Sequence, residues 1–241
     1  LGVPPMSDYR CGLGGSPHER LHQDNEQERI TMTLVKTPYF KQVSGWPKTG
    51  RHILAQFDDT SIVVYQAFCP AIGHFASKHG YFGGEFRLNR MSWIKPNFLW
   101  MMYRSGWGTK AGQEVILAVS IQRTAFETIL AAAVHSQFVP DLYSSESAWK
   151  QALKQSSVRL QWDPDHDPSG KKLERRAIQL GLRNEVLAQY ARDWIISIED
   201  ISEFVQEQYR NVRSNNWTDL ITPDEAVYPV TQSNLAIKLG L

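Results

Sequence analysis

The chain has 241 residues, 42% of them apolar, and a formal net charge of +1. That is ample core material for one large or two small domains, and too little charge for general attraction to polyanions. The longest apolar runs, such as VILAV at residues 115–119, are far too short to span a membrane.

Residues 1–31 are rich in Gly, Pro, Ser, Asp, Glu and His and poor in large apolar side chains. Such a stretch cannot bury enough surface to offset its ordering entropy, so a disordered tail is expected, followed by a single domain over residues 32–241. Cys11 in the tail and Cys69 in the domain do not form a disulfide framework, and the N-terminus has no apolar leader. An intracellular protein, cytoplasmic or nuclear, is the expectation.

Elements then alternate along the chain. Residues 61–68 (SIVVYQAF) read as a buried strand, and Pro70 opens a helix over 70–79 that Gly80 stops. Pro96 is expected to open a second helix running to about Arg104, with Gly106 as its stop. Residues 115–121 form a strand, and Thr124 is positioned to cap a helix over 125–135. Ser145 opens a further helix, and strands follow at 158–162 and 176–182 around the turn-rich DPDHDPSG. A helix over 184–192, a strand over 194–198, a helix over 201–213 and a last edge strand near 226–230 complete the domain. Short strands and irregular connections predict an α+β domain with a mixed or mostly antiparallel sheet.

The chemistry concentrates in residues 90–107, RMSWIKPNFLWMMYRSGW. Trp93, Trp100 and Trp107 fall seven residues apart, and Arg87, Arg90, Lys95, Arg104 and Lys110 surround them with no acidic residue between Glu85 and Glu114. Aromatic faces mixed with unopposed cations suit bases and phosphates. The same rings, at helical spacing, also suit a core. Lys95 lies at the predicted helix start, where anions are favoured. In SVRLQWD, Arg159, Gln161 and Asp163 alternate with Val158, Leu160 and Trp162; if this strand pairs with RAIQLGL, then Arg159, Gln161 and Gln179 share a polar face suited to base or ribose recognition. Tyr65 and Gln66 end the first strand, and Glu114 sits at a strand mouth; Glu114 and Asp163 are the candidate catalytic carboxylates. No P-loop or GxGxxG motif occurs, and the seven histidines are scattered without metal-ligand spacing.

The run RMSWIKPNFLWMMYRSGW, followed by KxGQExILAxxI, VRLQWDPDHD and RAIQLGL, resembles the family catalogued as domain of unknown function 4291, whose hallmark is the RSGW at residues 104–107. The resemblance covers about residues 51–212. A much weaker similarity links SIVVYQAF and PAIGHFASKHG to ADP-ribosyltransferase-like domains. That similarity implies an NAD-using transferase acting on nucleic acid or nucleotide. Tyr65 and Gln66 then meet the nicotinamide side, Arg90, Lys95 and Arg104 hold phosphates, and Glu114 or Asp163 stabilises the cationic sugar. The alternatives are a non-catalytic binder of single-stranded nucleic acid, and an aromatic segment that serves mainly as core and partner surface.

Overall fold

The computed structural model describes residues 33–241, so the expected tail lies outside the described residues. In chain order the elements are β1 (Lys36–Pro38), α1 (Tyr39–Val43), β2 (Gly50–Arg51), β3 (Leu54–Ala55), β4 (Ser61–Phe68), α2 (Pro70–His79), β5 (Ser92–Ile94), α3 (Phe98–Ser105), β6 (Val115–Gln122), α4 (Arg123–Ala132) and β7 (Ala133–His135). Then come α5 (Glu146–Gln155), β8 (Val158–His166), β9 (Lys172–Leu182), α6 (Asn184–Arg192), β10 (Ile195–Asp200), α7 (Ser202–Arg213), a 3-10 turn (Trp217–Asp219), β11 (Ile221–Pro223), β12 (Ala226–Val227) and α8 (Ser233–Leu239). The architecture is α+β with mostly antiparallel pairing. Among the described residues parallel pairing is confined to the short contacts of β2 with β9 and β7 with β8. Among the described residues no helix is long and apolar enough to cross a membrane.

Two sheets carry the fold. One is β10–β6–β4, antiparallel, in register from Ser61 opposite Gln122 to Phe68 opposite Val115. The other is built around β9, with β8 along one edge and β5 and β2 sharing the other. A single antiparallel bridge joins them: Tyr65 N–H donates to Lys95 O at 2.7 Å and Lys95 N–H to Tyr65 O at 3.2 Å.

The two sheets treat their faces differently, and the sequence pattern explains why. In β4 and β6 nearly every residue is buried, because both faces are covered. Ile62, Val64, Leu117 and Val119 join a core with Phe126, Ile129, Leu187 and Tyr190 from α4 and α6. Val63, Tyr65, Ile116 and Ala118 join a second core with Phe98, Leu99 and Met102 from α3 and Val205 from α7. A strand covered on both sides loses the alternation of polar and apolar residues. In β8 and β9 the alternation survives. Val158, Leu160, Ile178, Leu180 and Leu182 enter the first core, whereas Arg159, Gln161, Asp163 and Gln179 stay half-buried on the opposite face.

Two helix starts differ from the sequence expectation. The helix expected from Pro96 begins at Phe98, because Asn97 is the cap: its Oδ1 accepts the Trp100 N–H at 2.7 Å. Pro96 therefore stays in the extended lead-in. The helix expected after a Thr124 cap begins at Arg123, straight out of β6, with its first N–H donated to Thr60 O at 2.8 Å instead of to a capping side chain.

The seam between α2 and β6 yields a stability test. A Cβ on Gly73 would lie 2.4 Å from Cγ1 and 2.5 Å from Cβ of Val115, on the sheet beneath. Gly73→Ala is expected to lower unfolding free energy by about 1–3 kcal/mol in urea titration. Gly45→Ala, whose Cβ would meet only Gln42 O at 3.6 Å, is expected to change it by less than about 0.5 kcal/mol.

Candidate functional site

The polar side of β5, β9 and β8 collects hydrogen-bonding groups in ordered rows. Antiparallel register places Gln161 opposite Gln179, Arg159 opposite Gly181, and Asp163 opposite Ala177. On the other edge of β9, Trp93 stands opposite Gly181. Gln179 Nε2 donates to Gln161 Oε1 and to Asp163 Oδ2, both at 2.7 Å. The amide pair is thus held rigidly, leaving Gln161 Nε2 as a donor and Gln179 Oε1 as an acceptor towards a ligand. Gly181 matters through what it lacks. A Cβ there would come within 2.6 Å of Met91 Sδ and 3.0 Å of the Trp93 ring, so the missing side chain makes room for both. Arg159, next in this row, has a buried Nε with no hydrogen-bond partner.

Lys95 is the most unusual group on this face. Ile94 points into the core, so Trp93 and Lys95 on either side of it take the opposite, polar face. The Lys95 backbone is pinned in both directions by the bridge to Tyr65. The residue is 5% exposed, yet among the described residues its side chain forms no hydrogen bond and no ion pair. Buried lysines are ordinarily paired. Burial pushes the Lys95 pKa down to about 7; the Arg104 guanidinium pushes the same way and the Asp163 carboxylate opposes weakly. The nearby positive end of α3 acts in the same direction as Arg104.

The start of α3, two residues on, is locked by a carboxyl from the far end of the chain. Glu225 Oε1 accepts the Phe98 N–H at 2.6 Å and Oε2 accepts from Asn97 Nδ2 at 3.1 Å. The Glu225 backbone is held in turn by Gln42 Oε1 at 2.9 Å and by the Trp46 indole N–H at 2.8 Å. Burial raises the Glu225 pKa well above the usual carboxylate range. The Trp46 indole also carries the Arg175 guanidinium, 5.3 Å from its ring centre, and Arg175 pairs with buried Asp165 through Nε at 2.8 Å and Nη2 at 2.6 Å. On the outer side of α3, Tyr103 stacks on His166 with centroids 3.5 Å apart, and Trp100 lies parallel at 5.3 Å. Both His166 ring nitrogens and Trp100 Nε1 are buried without partners.

The remaining sequence candidates lie elsewhere. Tyr65 and Gln66 are interior, 0% and 2% exposed. Gln66 ties Ser92 Oγ at 2.8 Å to the Tyr190 hydroxyl at 2.7 Å, bracing β5 against α6. Lys110 donates to Arg104 O at 2.6 Å, where a cation satisfies the C-terminal carbonyls of α3. Glu114 is exposed and accepts the Gly112 N–H at 2.8 Å. Arg90 is exposed and lines, with Arg87, Glu85, Phe68 and Phe86, a separate cavity of about 680 Å³ that reaches Met91. Trp100 and Trp107 are buried, and only Trp93 of the three is half-exposed. The residues brought onto one face are therefore Trp93, Lys95, Arg159, Gln161, Asp163 and Gln179, with Arg104 close enough to act on the Lys95 charge. A cavity of about 100 Å³ lined by Arg51, His135, Gln161 and Asp163 opens at the β7 edge of the same sheet. Among the described residues no cluster of three or more His, Cys, Asp or Glu is arranged to hold a metal ion.

The family model described as Domain of unknown function (DUF4291) matches residues 52–228. The chain belongs to this family. The match spans every residue of the polar face and the carboxyl that locks α3. No curated protein matches the chain. Glu225 and the Arg175–Asp165 pair carry no local signal by which sequence reading finds them; Glu225 meets Phe98 across 127 residues.

The Lys95 environment makes stability depend on pH with a defined sign. Above about pH 7 the folded protein has released a proton that the unfolded chain keeps up to about pH 10.5. The unfolded state binds more protons in that window, so stability rises with pH. Relative to Lys95→Met, wild-type unfolding free energy in urea is expected to climb by up to about 1.4 kcal/mol per pH unit between pH 7.5 and 9.5. Parallel curves for the two proteins would contradict it.

Proposed function

We propose that the protein is a nucleotide-dependent enzyme that holds its phosphorylated ligand on the polar face of β5, β9 and β8 and acts on a nucleotide or nucleic acid. One observation carries this reading: on one face Arg159 has a buried Nε without a hydrogen bond, and Lys95, 5% exposed, has no hydrogen bond or ion pair among the described residues, beside a braced amide pair and a half-exposed indole. Basic groups left without partners on one face are candidates for a ligand that supplies the anion. In the proposed complex Arg159 and Arg104 take phosphate oxygens and Trp93 stacks on the base. Gln161 and Gln179 bond the base edge or ribose, and Asp163 is the carboxylate nearest the reacting centre.

NAD remains within this class, as do nucleoside triphosphates. The specific transferase arrangement with Tyr65 and Gln66 against nicotinamide has no support from the fold, because both are interior. The single-strand binder has less support than the enzyme: it calls for several exposed rings, and Trp100 and Trp107 are buried.

The test is calorimetric titration with a panel of ATP, GTP, CTP, UTP and NAD, alongside quenching of tryptophan fluorescence. At least one member is expected to bind in the micromolar range. Arg159→Ala and Arg104→Ala are each expected to weaken it about tenfold or more, and exposed Arg210→Ala to leave it unchanged. Binding no tighter than about 1 mM across the panel, or full affinity in Arg159→Ala, would overturn the proposal.

A further inference from the structure

The cavity of about 680 Å³ that reaches the start of β5 has the volume of a small-molecule site, and its lining is built rather than incidental. Ser92, 9% exposed, lines it. Two interior residues fix what the Ser92 hydroxyl does. Tyr190 O–H donates to Gln66 Oε1 at 2.7 Å, so the amide nitrogen of Gln66 faces the other way. That nitrogen donates to Ser92 Oγ at 2.8 Å and to Trp93 O at 3.2 Å. Ser92 Oγ is therefore the acceptor in its bond to Gln66, and its own proton meets no acceptor among the described residues. A hydroxyl this buried calls for a partner, and an acceptor in the cavity supplies one.

The same cavity has cations at its rim and rings in its wall. The chain before β5 turns at residues 87–90, where Arg90 N–H donates to Arg87 O at 3.4 Å, and both arginines line the cavity. Both are exposed, and among the described residues neither side chain has a hydrogen bond or an ion pair. Phe68 and Phe86 form the wall, with centroids 5.8 Å apart. They rest on buried Phe82 at 5.5 and 4.8 Å, and Phe82 stacks on Tyr190 at 5.7 Å. Tyr190 thus supports the aromatic wall and orients the amide that holds Ser92.

Charge and shape together select the ligand. A guanidinium fork matches phosphate oxygens, and a phosphomonoester carries about −1.5 to −2 charge at neutral pH, which balances two arginines where a carboxylate balances one. Flat rings find edge and face contacts on Phe68 and Phe86. We propose that this cavity binds a small phosphomonoester with an aromatic body, of the size and chemistry of a nucleoside monophosphate. Its phosphate meets Arg87, Arg90 and the Ser92 hydroxyl, and its ring lies against Phe86 and Phe68. Glu85, which also lines the cavity, offers only acceptors, so it suits hydroxyl groups on the ligand and counts against a more highly charged polyphosphate. The inference stands apart from the nucleotide reading of the polar face, which uses other residues.

The experiment is calorimetric titration of the full chain with AMP, GMP, CMP, UMP and phenyl phosphate. Inorganic phosphate, benzoate and the four nucleosides serve as controls. At least one aromatic monophosphate is expected to bind with Kd below about 100 μM, and every control at least about tenfold more weakly. Arg87→Ala and Arg90→Ala should each weaken that binding about tenfold, and Ser92→Ala about threefold or more. Arg159→Ala, on the polar face, should leave it within about twofold. If Ser92→Ala fails to fold, as judged by circular dichroism, the two exposed arginines decide. Binding no tighter than about 1 mM across the panel overturns the inference, whatever triphosphates do on the polar face. Full affinity in both arginine variants overturns it, as does benzoate binding as tightly as phenyl phosphate. Loss of binding in Arg159→Ala alone assigns the ligand to the polar face, which overturns this inference and leaves the earlier reading standing.

Discussion

A lysine that is 5% exposed and has, among the described residues, no hydrogen bond or ion pair is the constraint around which this molecule is organised. Burying such a charge is strongly unfavourable, and proteins relieve it by pairing the group or by lowering its pKa. Lys95 takes the second course: burial and the Arg104 guanidinium bring it to about 7. The surrounding structure fixes where the side chain starts. Its backbone forms the bridge between the two sheets, and the next helix starts two residues later under a double cap from Asn97 and Glu225.

The sheets divide the labour of stability and chemistry. β4 and β6 are covered on both faces and supply the inner wall of both cores. β8 and β9 give one face to the first core and keep the other polar. The polar face is ordered by its own bonds: the Gln179 amide ties Gln161 to Asp163, and Gly181 makes room for the Trp93 ring. Rigid elements, not loops, therefore hold the groups proposed to meet the ligand, which is what precise positioning requires.

Much of this was legible in the residues. The runs SIVVYQAF and VILAVSI announce buried strands, and Gly80 and Gly106 stop their helices in left-handed conformations, φ 74° and 59°. The alternation in VRLQWD and RAIQLGL places Arg159, Gln161 and Gln179 on one face once the strands pair, as they do. Other features were not legible, for identifiable reasons. An unbroken apolar strand does not say which of its polar residues is sealed, so Tyr65 and Gln66 read as site residues although α3 and α6 cover them. The even spacing of Trp93, Trp100 and Trp107 suggests one surface, but they fall on a strand, in a helix, and in a left-handed turn with φ 58°. DPDHD has the composition of a turn, whereas Asp165 and His166 end β8 and are buried by Arg175 and Tyr103. Long-range partners set each of these outcomes, and local pattern does not encode them.

The most direct measurement is the titration of Lys95 itself, followed by heteronuclear NMR of the lysine Cε–Hε resonances in ¹³C-labelled protein and assigned by the signal lost in Lys95→Met. The account predicts one lysine with a midpoint near pH 7, far below the other lysines. A Lys95 resonance that titrates near pH 10.5 would show an ordinary ammonium and contradict the account at its root.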